Sequence, residues 1–397
     1  MLRPMVAAGL LPLAMLVPTG DTMSRPTSTP PAPPTASASK PAAVEPRGRT
    51  CADVVAGLSL SEQVGQTIMV AQSATRPSPA GQQVIHRLHL GSVVLLGNST
   101  LGRARTAALV DGLRDGAGTT DGVGLLLAAD QEGGLVQRLK GSGFSTIPSA
   151  RDQAGWSDRT LRRRSTTWSK QLGRAGIDLN LAPVADVVPA SVGSANEPIG
   201  ALHRGYGPHP GVVARKTTAV VEGMHAGGTA TTTKHFPGLG RVRGNTDTTA
   251  KVVDPRTTRH DRLLAGFRAD VEHGTDVVMV SSATYRRIDA KHPATYSSTV
   301  VDQMLRHDLG FRGVVVSDDL LGRALASTAV RSRGVRFLGA GGDLALVGDT
   351  SAAAEVHAGL LDRARSDTAL RARVQQSATR VVELKSRQGR ASCRVTA

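Results

Sequence analysis

The chain has 397 residues, of which 40% are hydrophobic, 3% aromatic and 44 are glycine, so it can bury a sizeable core, and that core must be aliphatic. The formal net charge of +16 favours anionic surroundings such as a cell wall or membrane surface. The basic residues form no long block and few aromatics interleave with them, which argues against a nucleic-acid partner.

Arg3 gives a positive start, and Val6 to Val17 is an apolar run broken only by Gly9 and Pro12. That run is too short to cross a membrane and suits a secretory signal, so residues 1–22 are expected to direct export. Ala36-Ser37-Ala38 fits a small-x-small cleavage site but lies far downstream, which leaves the cleavage point open. Asp21 stands where a lipoprotein would need a cysteine, so no lipid anchor is expected. Residues 23–50, rich in Pro, Thr, Ser and Ala, read as an extended linker. The two cysteines, Cys51 and Cys393, bracket nearly everything that follows, and in an exported protein they read as a disulfide tying together the ends of one domain, residues 51–397.

Within that domain, short continuous apolar runs alternate with helix-like segments. Eight runs read as strands: 67–70, 92–96, 124–129, 178–182, 230–234, 276–280, 314–316 and 344–347. Continuous rather than alternating apolarity suits strands covered on both faces. Helices are expected at 103–115, 161–175, 210–226 and 298–309. Eight strands interleaved with helices predict an α/β fold of the single (β/α)8 TIM-barrel type, and the first strand lacks the Gly-x-Gly-x-x-Gly turn of an open dinucleotide-binding sheet.

In such a barrel the active site lies at the C-terminal ends of the strands. The third run leads into Asp130-Gln131-Glu132-Gly133-Gly134, with Arg138 close behind. The fourth leads through Pro183 to Asp186, the fifth into Lys234-His235-Phe236-Pro237-Gly238, and the seventh into Ser317-Asp318-Asp319. Each has a purely structural alternative: Asp318 or Asp319 as a helix cap, Lys234 and Asp130 as an ion pair. Four polar strand ends on one rim favour a site. Carboxylates surrounded by Lys, Arg and His suit polyol recognition, and a carboxylate with a proton donor suits glycosidic hydrolysis. His86 and His89 lack a third metal ligand, and neither a Walker loop nor a Gly-x-Ser-x-Gly elbow is present, so no metal or cofactor is expected.

On the motifs around Asp130, Lys234 and Asp318, the chain from about Leu58 to Leu384 resembles glycoside hydrolase family 3, in its single-domain β-N-acetylhexosaminidase branch. The resemblance implies a retaining two-step mechanism without cofactor, with Asp318 as the nucleophile. It implies that Asp130, Arg138, Lys234 and His235 hold the sugar, and that Arg204, in Leu202-His203-Arg204-Gly205, is a further contact. The family's N-acetylglucosaminidases carry an Asp-x-His pair on the loop after strand five. Here that stretch is Asp247-Thr248-Thr249, with Thr249 where the acid/base His is expected, which leaves Asp247 or a residue elsewhere for that role. The implied substrate is an N-acetylglucosamine-containing glycan, from cell-wall fragments or chito-oligosaccharides, and the protein is expected to act as a monomer. A β-glucosidase-like preference and a non-catalytic sugar-binding protein are the alternatives.

Overall fold

The computed structural model describes residues 48–396. The export segment 1–22 and most of the linker 23–50 lie outside the described residues. Thr50 caps the first helix, Cys51–Gly57, in a reciprocal arrangement with Asp53, and also pairs with Arg394 at the other end of the chain. Cys51 and Cys393 are joined by a disulfide.

Eight parallel strands form the barrel: β1 Ile68–Ser73, β2 Ser92–Leu96, β3 Leu126–Ala129, β4 Leu179–Asn180, β5 Ala230–Phe236, β6 Val277–Val280, β7 Val314–Ser317 and β8 Ala345–Val347. Their order is β7-β6-β5-β4-β3-β2-β1-β8. A parallel bridge between Val316 and Leu344 joins the two outer strands and closes the ring. Each of the eight expected runs holds one of these strands, and the expected helices occur at Gly102–Ala117, Asp158–Gly173 and Pro210–Gly227. The fourth expected helix, Thr299–Asp308, is wound as a π-helix.

Successive strand side chains point to opposite faces, and both faces are buried. In β2, Val94 joins Met69, Leu126, Leu179 and Met279 inside the barrel, while Val93 and Leu95 pack outward against the helices. This explains the unbroken apolar runs.

An aspartate stands just before three of the strands, and the three share one role. Asp178, Asp276 and Asp343 precede β4, β6 and β8, and each carboxylate accepts the backbone N–H of the second residue of the preceding strand: Leu127, Thr231 and Val315, at 2.8, 3.0 and 2.8 Å. Each is also paired with a basic side chain. Asp178 holds Arg114 and Arg390, Asp276 holds His225, and Asp343 holds Arg306 and Arg380. These carboxylates, buried at Asp178 and Asp343 and half-buried at Asp276, clamp alternate strands at the end of the barrel opposite the candidate site.

Candidate active site

At the C-terminal ends of the strands lies a cavity of about 390 Å³. Its floor is the top of the barrel interior: Val94, Leu96, Leu181, Met279 and Leu346. Asp130, Arg138, Arg204, Lys234, His235, Asp247 and Asp318 all line it, so the structure brings together every residue singled out for substrate binding or catalysis.

Asp130 directly follows β3 and starts the turn into the hairpin Gln131–Gly133 and Val136–Gln137. Gly133 and Gly134 have φ of 115° and 55°, a conformation glycine adopts without penalty. A side chain at Gly133 would also run into the Pro148 carbonyl, so the close fold of this turn requires glycine.

The register of β5 against β6 shifts between Lys234 and Phe236, and both Lys234 and His235 reach the cavity. Lys234 is only 2% exposed, and its ammonium lies 2.6 Å from Asp130 and 2.7 Å from Glu132. Glu132 in turn takes two parallel hydrogen bonds from Arg204, at 2.9 and 2.8 Å. Burial works to raise the Glu132 carboxyl, but the charges of Arg204 and Lys234 outweigh it and hold Glu132 well below the usual carboxylate range. Burial likewise works against the Lys234 ammonium, and Asp130 and Glu132 reverse it, so Lys234 stays charged. Arg204 also donates to the Pro198 carbonyl at 2.8 Å, so its guanidinium braces the site as well as facing the cavity.

Arg138 reaches from the hairpin and contacts Asn98 at 3.3 Å. Its Nε is buried and has no hydrogen-bond partner among the described residues.

Asp318 directly follows β7. Burial, with the nearby Asp247 carboxylate adding to it, pushes its carboxyl up to about 6. Asp247 is exposed at the tip of the loop after β5. That loop is pinned across the mouth: the backbone N–H groups of Arg323 and Ala324 donate to the carbonyls of Asp247 and Thr246 at 3.1 and 3.0 Å. Thr249 is exposed, packs near Gly244 and does not line the cavity. Asp319 accepts the N–H groups of Leu321 and Gly348, at 2.9 and 3.0 Å, and so ties the turn after β7 to the end of β8.

Two residues of the site carried no assignment in the sequence reading. Glu132 stands two residues after Asp130, a spacing that puts both on one side of an extended chain. Asp186 is fully buried behind the cavity and bonds His235. Nothing local in the sequence marks its partner, 49 residues away.

Residues 59–384 match the glycosyl hydrolase family 3 N terminal domain. A beta-hexosaminidase of Stenotrophomonas maltophilia (strain K279a) is 39% identical over 233 residues, 56% of this chain and 66% of that protein, just under two thirds of its length. A beta-hexosaminidase of Xanthomonas oryzae pv. oryzae is 32% identical over 70% of this chain and 83% of its own. The crystal structure of a beta-N-acetylhexosaminidase from Beutenbergia cavernae superposes with a TM-score of 0.82 at 43% identity, covering 83% of this chain and 99% of that one. Family match, barrel and rim residues agree, and the chain belongs to glycosyl hydrolase family 3.

Proposed function

We propose that this protein is a retaining exo-glycosidase that removes terminal β-N-acetylglucosamine from cell-wall fragments or chito-oligosaccharides. The observation that carries the reading is the placement of Asp318 and Asp247 at the mouth of one cavity whose wall is a prearranged set of charged hydrogen-bonding groups. The names of its beta-hexosaminidase relatives support the choice of sugar.

In this mechanism Asp130, Arg138, Lys234, His235 and Arg204 hold the non-reducing sugar by charge-assisted hydrogen bonds. The Asp318 carboxylate attacks the anomeric carbon as the glycosidic bond breaks, and Asp247 gives its proton to the departing oxygen. Water then attacks the glycosyl-enzyme, giving its proton to Asp247 and freeing Asp318. Asp247 takes the place that the missing loop histidine leaves open.

Export is part of the same proposal. The apolar run Val6 to Val17 and the Cys51–Cys393 disulfide both suit a protein released into an oxidising compartment, and the +16 charge would hold it near an anionic wall.

Turnover of 4-nitrophenyl β-N-acetylglucosaminide by the mature protein tests the reading. Wild type should hydrolyse it, and Asp318→Asn should abolish turnover. Binding of N-acetylglucosamine without turnover of any chromogenic glycoside would replace the enzyme with a sugar-binding protein.

A further inference from the structure

We propose that Asp186 is a positioning residue that fixes the tautomer of His235 and so makes His235 an acceptor for a sugar hydroxyl. The inference rests on the glycosidase reading for its catalytic consequence, and on the geometry of the free protein for the tautomer itself.

Asp186 lies in the segment after β4 and is 0% exposed. The motif after β5 wraps around it. Its Oδ2 lies 2.7 Å from His235 Nδ1, and its Oδ1 accepts the backbone N–H groups of Leu239 at 2.6 Å and His235 at 3.4 Å. Gly238, with φ of 123°, makes the turn that brings the Leu239 amide back to the same carboxylate. The Lys-His-Phe-Pro-Gly-Leu run therefore encloses a buried acceptor supplied by the segment after β4.

Both neighbours of the imidazole select the same proton position. An ionised carboxylate only accepts hydrogen bonds, so the nitrogen facing Asp186 must carry the proton. On the other side, His235 Nε2 faces the Arg204 guanidinium at 3.5 Å. A guanidinium only donates, so Nε2 must present its lone pair. The Nδ1–H tautomer satisfies both contacts, and the Nε2–H tautomer satisfies neither. Since Arg204 is held by Glu132 and the Pro198 carbonyl, it cannot turn away without breaking those bonds. The Arg204 contact is long, at 3.5 Å, so a hydroxyl bound closer in the cavity that His235 lines takes over the Nε2 lone pair. A ligand group there must donate, as a hydroxyl does, and a group that only accepts is rejected.

The test uses 15N-histidine-labelled protein, in which long-range proton–nitrogen spectra report the tautomer of each imidazole. The His235 signal is the one missing from the His235→Gln spectrum. Wild type should show His235 protonated at Nδ1 only. In Asp186→Asn the amide keeps an acceptor for the Leu239 N–H but offers N–H groups to the ring, so the proton should move to Nε2. kcat/KM should then fall by about 100-fold, as expected when a binding group is misaligned, with the melting temperature of the folded variant reported beside it. In the His235→Gln background the same change should cost less than about threefold, because Asp186 acts through His235. His235 protonated at Nε2 in wild type overturns the proposal whether or not Asp186→Asn folds. So does an activity loss in Asp186→Asn with the tautomer unchanged, or an equal loss without His235. Should wild type not turn over any glycoside, the glycosidase reading fails on its own account, and the tautomer spectrum with N-acetylglucosamine titration still decides the role of Asp186.

Discussion

Glu132 meets Arg204 through two parallel hydrogen bonds of 2.9 and 2.8 Å, while its Oε1 also lies 2.7 Å from Lys234. One buried carboxylate thus compensates two buried cations. Replacing it by the isosteric Gln leaves both cations short of a counter-charge, and breaking a buried pair in this way costs about 3–5 kcal/mol. Glu132→Gln should therefore lower the unfolding free energy by that margin, seen as a lower denaturant midpoint, and raise KM, because Lys234 and Arg204 lose their fixed positions. Equilibrium denaturation and steady-state kinetics check both. An unchanged midpoint would mean that Asp130 suffices for Lys234.

The Asp318 carboxyl, pushed up to about 6, governs a pH dependence of opposite sense in activity and stability. A nucleophile must be ionised, so kcat/KM should rise with pH through about 6. Between its ordinary value of 3.8 and about 6 the unfolded chain has lost the proton that the folded chain keeps, so folding stability falls as pH rises across that window. Burial raises Asp270 to about 7, which extends the decline in the same direction. Asp318→Asn removes the cost of the charge. It should be more stable than wild type at pH 7.5, by about 1–3 kcal/mol, while inactive. Denaturation at pH 4.5 and 7.5 measures this, and a variant less stable at 7.5 would contradict it.

Asp247 and Thr249 lie two residues apart on one loop, yet only Asp247 lines the cavity. Asp247→Asn should slow substrates with poor leaving groups by about 10²–10⁴-fold and spare activated aryl glycosides. Thr249→His should leave kcat within about threefold of wild type, because its side chain lies away from the cavity. A rate gain above tenfold in Thr249→His would show that the loop brings position 249 to the leaving group.

The barrel was legible in the sequence because both strand faces are apolar, and that signal needs no knowledge of neighbours. The runs at 178–182 and 276–280 begin one residue before their strands because Asp178 and Asp276 each serve the adjacent strand rather than their own. Asp130, Lys234 and Asp318 were legible as polar groups at strand ends. Glu132 and Asp186 stood out in the same way, but their supporting role did not: they bond residues 72 and 49 positions away, and only the closed ring makes them neighbours.

Those basal clamps carry their own prediction. Asp343 is fully buried and takes the Val315 amide at 2.8 Å, Ser377 at 3.1 Å and Arg380 at 2.9 Å, besides pairing with Arg306. Asp343→Ala should cost about 3–5 kcal/mol and leave KM unchanged, since the clamp lies at the opposite end of the barrel. A KM shift without loss of stability would refute the division of labour between the two ends.

The Cys51–Cys393 disulfide spans 342 residues and packs with Val123, just before β3, at that same end. In the chain-entropy model so long a loop contributes about 6 kcal/mol. Reduction should lower the melting temperature by several degrees and leave room-temperature activity intact. Loss of activity on reduction, with the fold retained, would place the bond in the catalytic machinery instead.

Trapping the glycosyl-enzyme tests the central claim most directly. A fluorinated N-acetylglucosamine donor that forms the intermediate quickly and releases it slowly, followed by peptide mass spectrometry, should place one sugar on Asp318 and none in Asp318→Asn. An adduct on another residue, or no adduct together with a product of inverted anomeric configuration, would contradict the account.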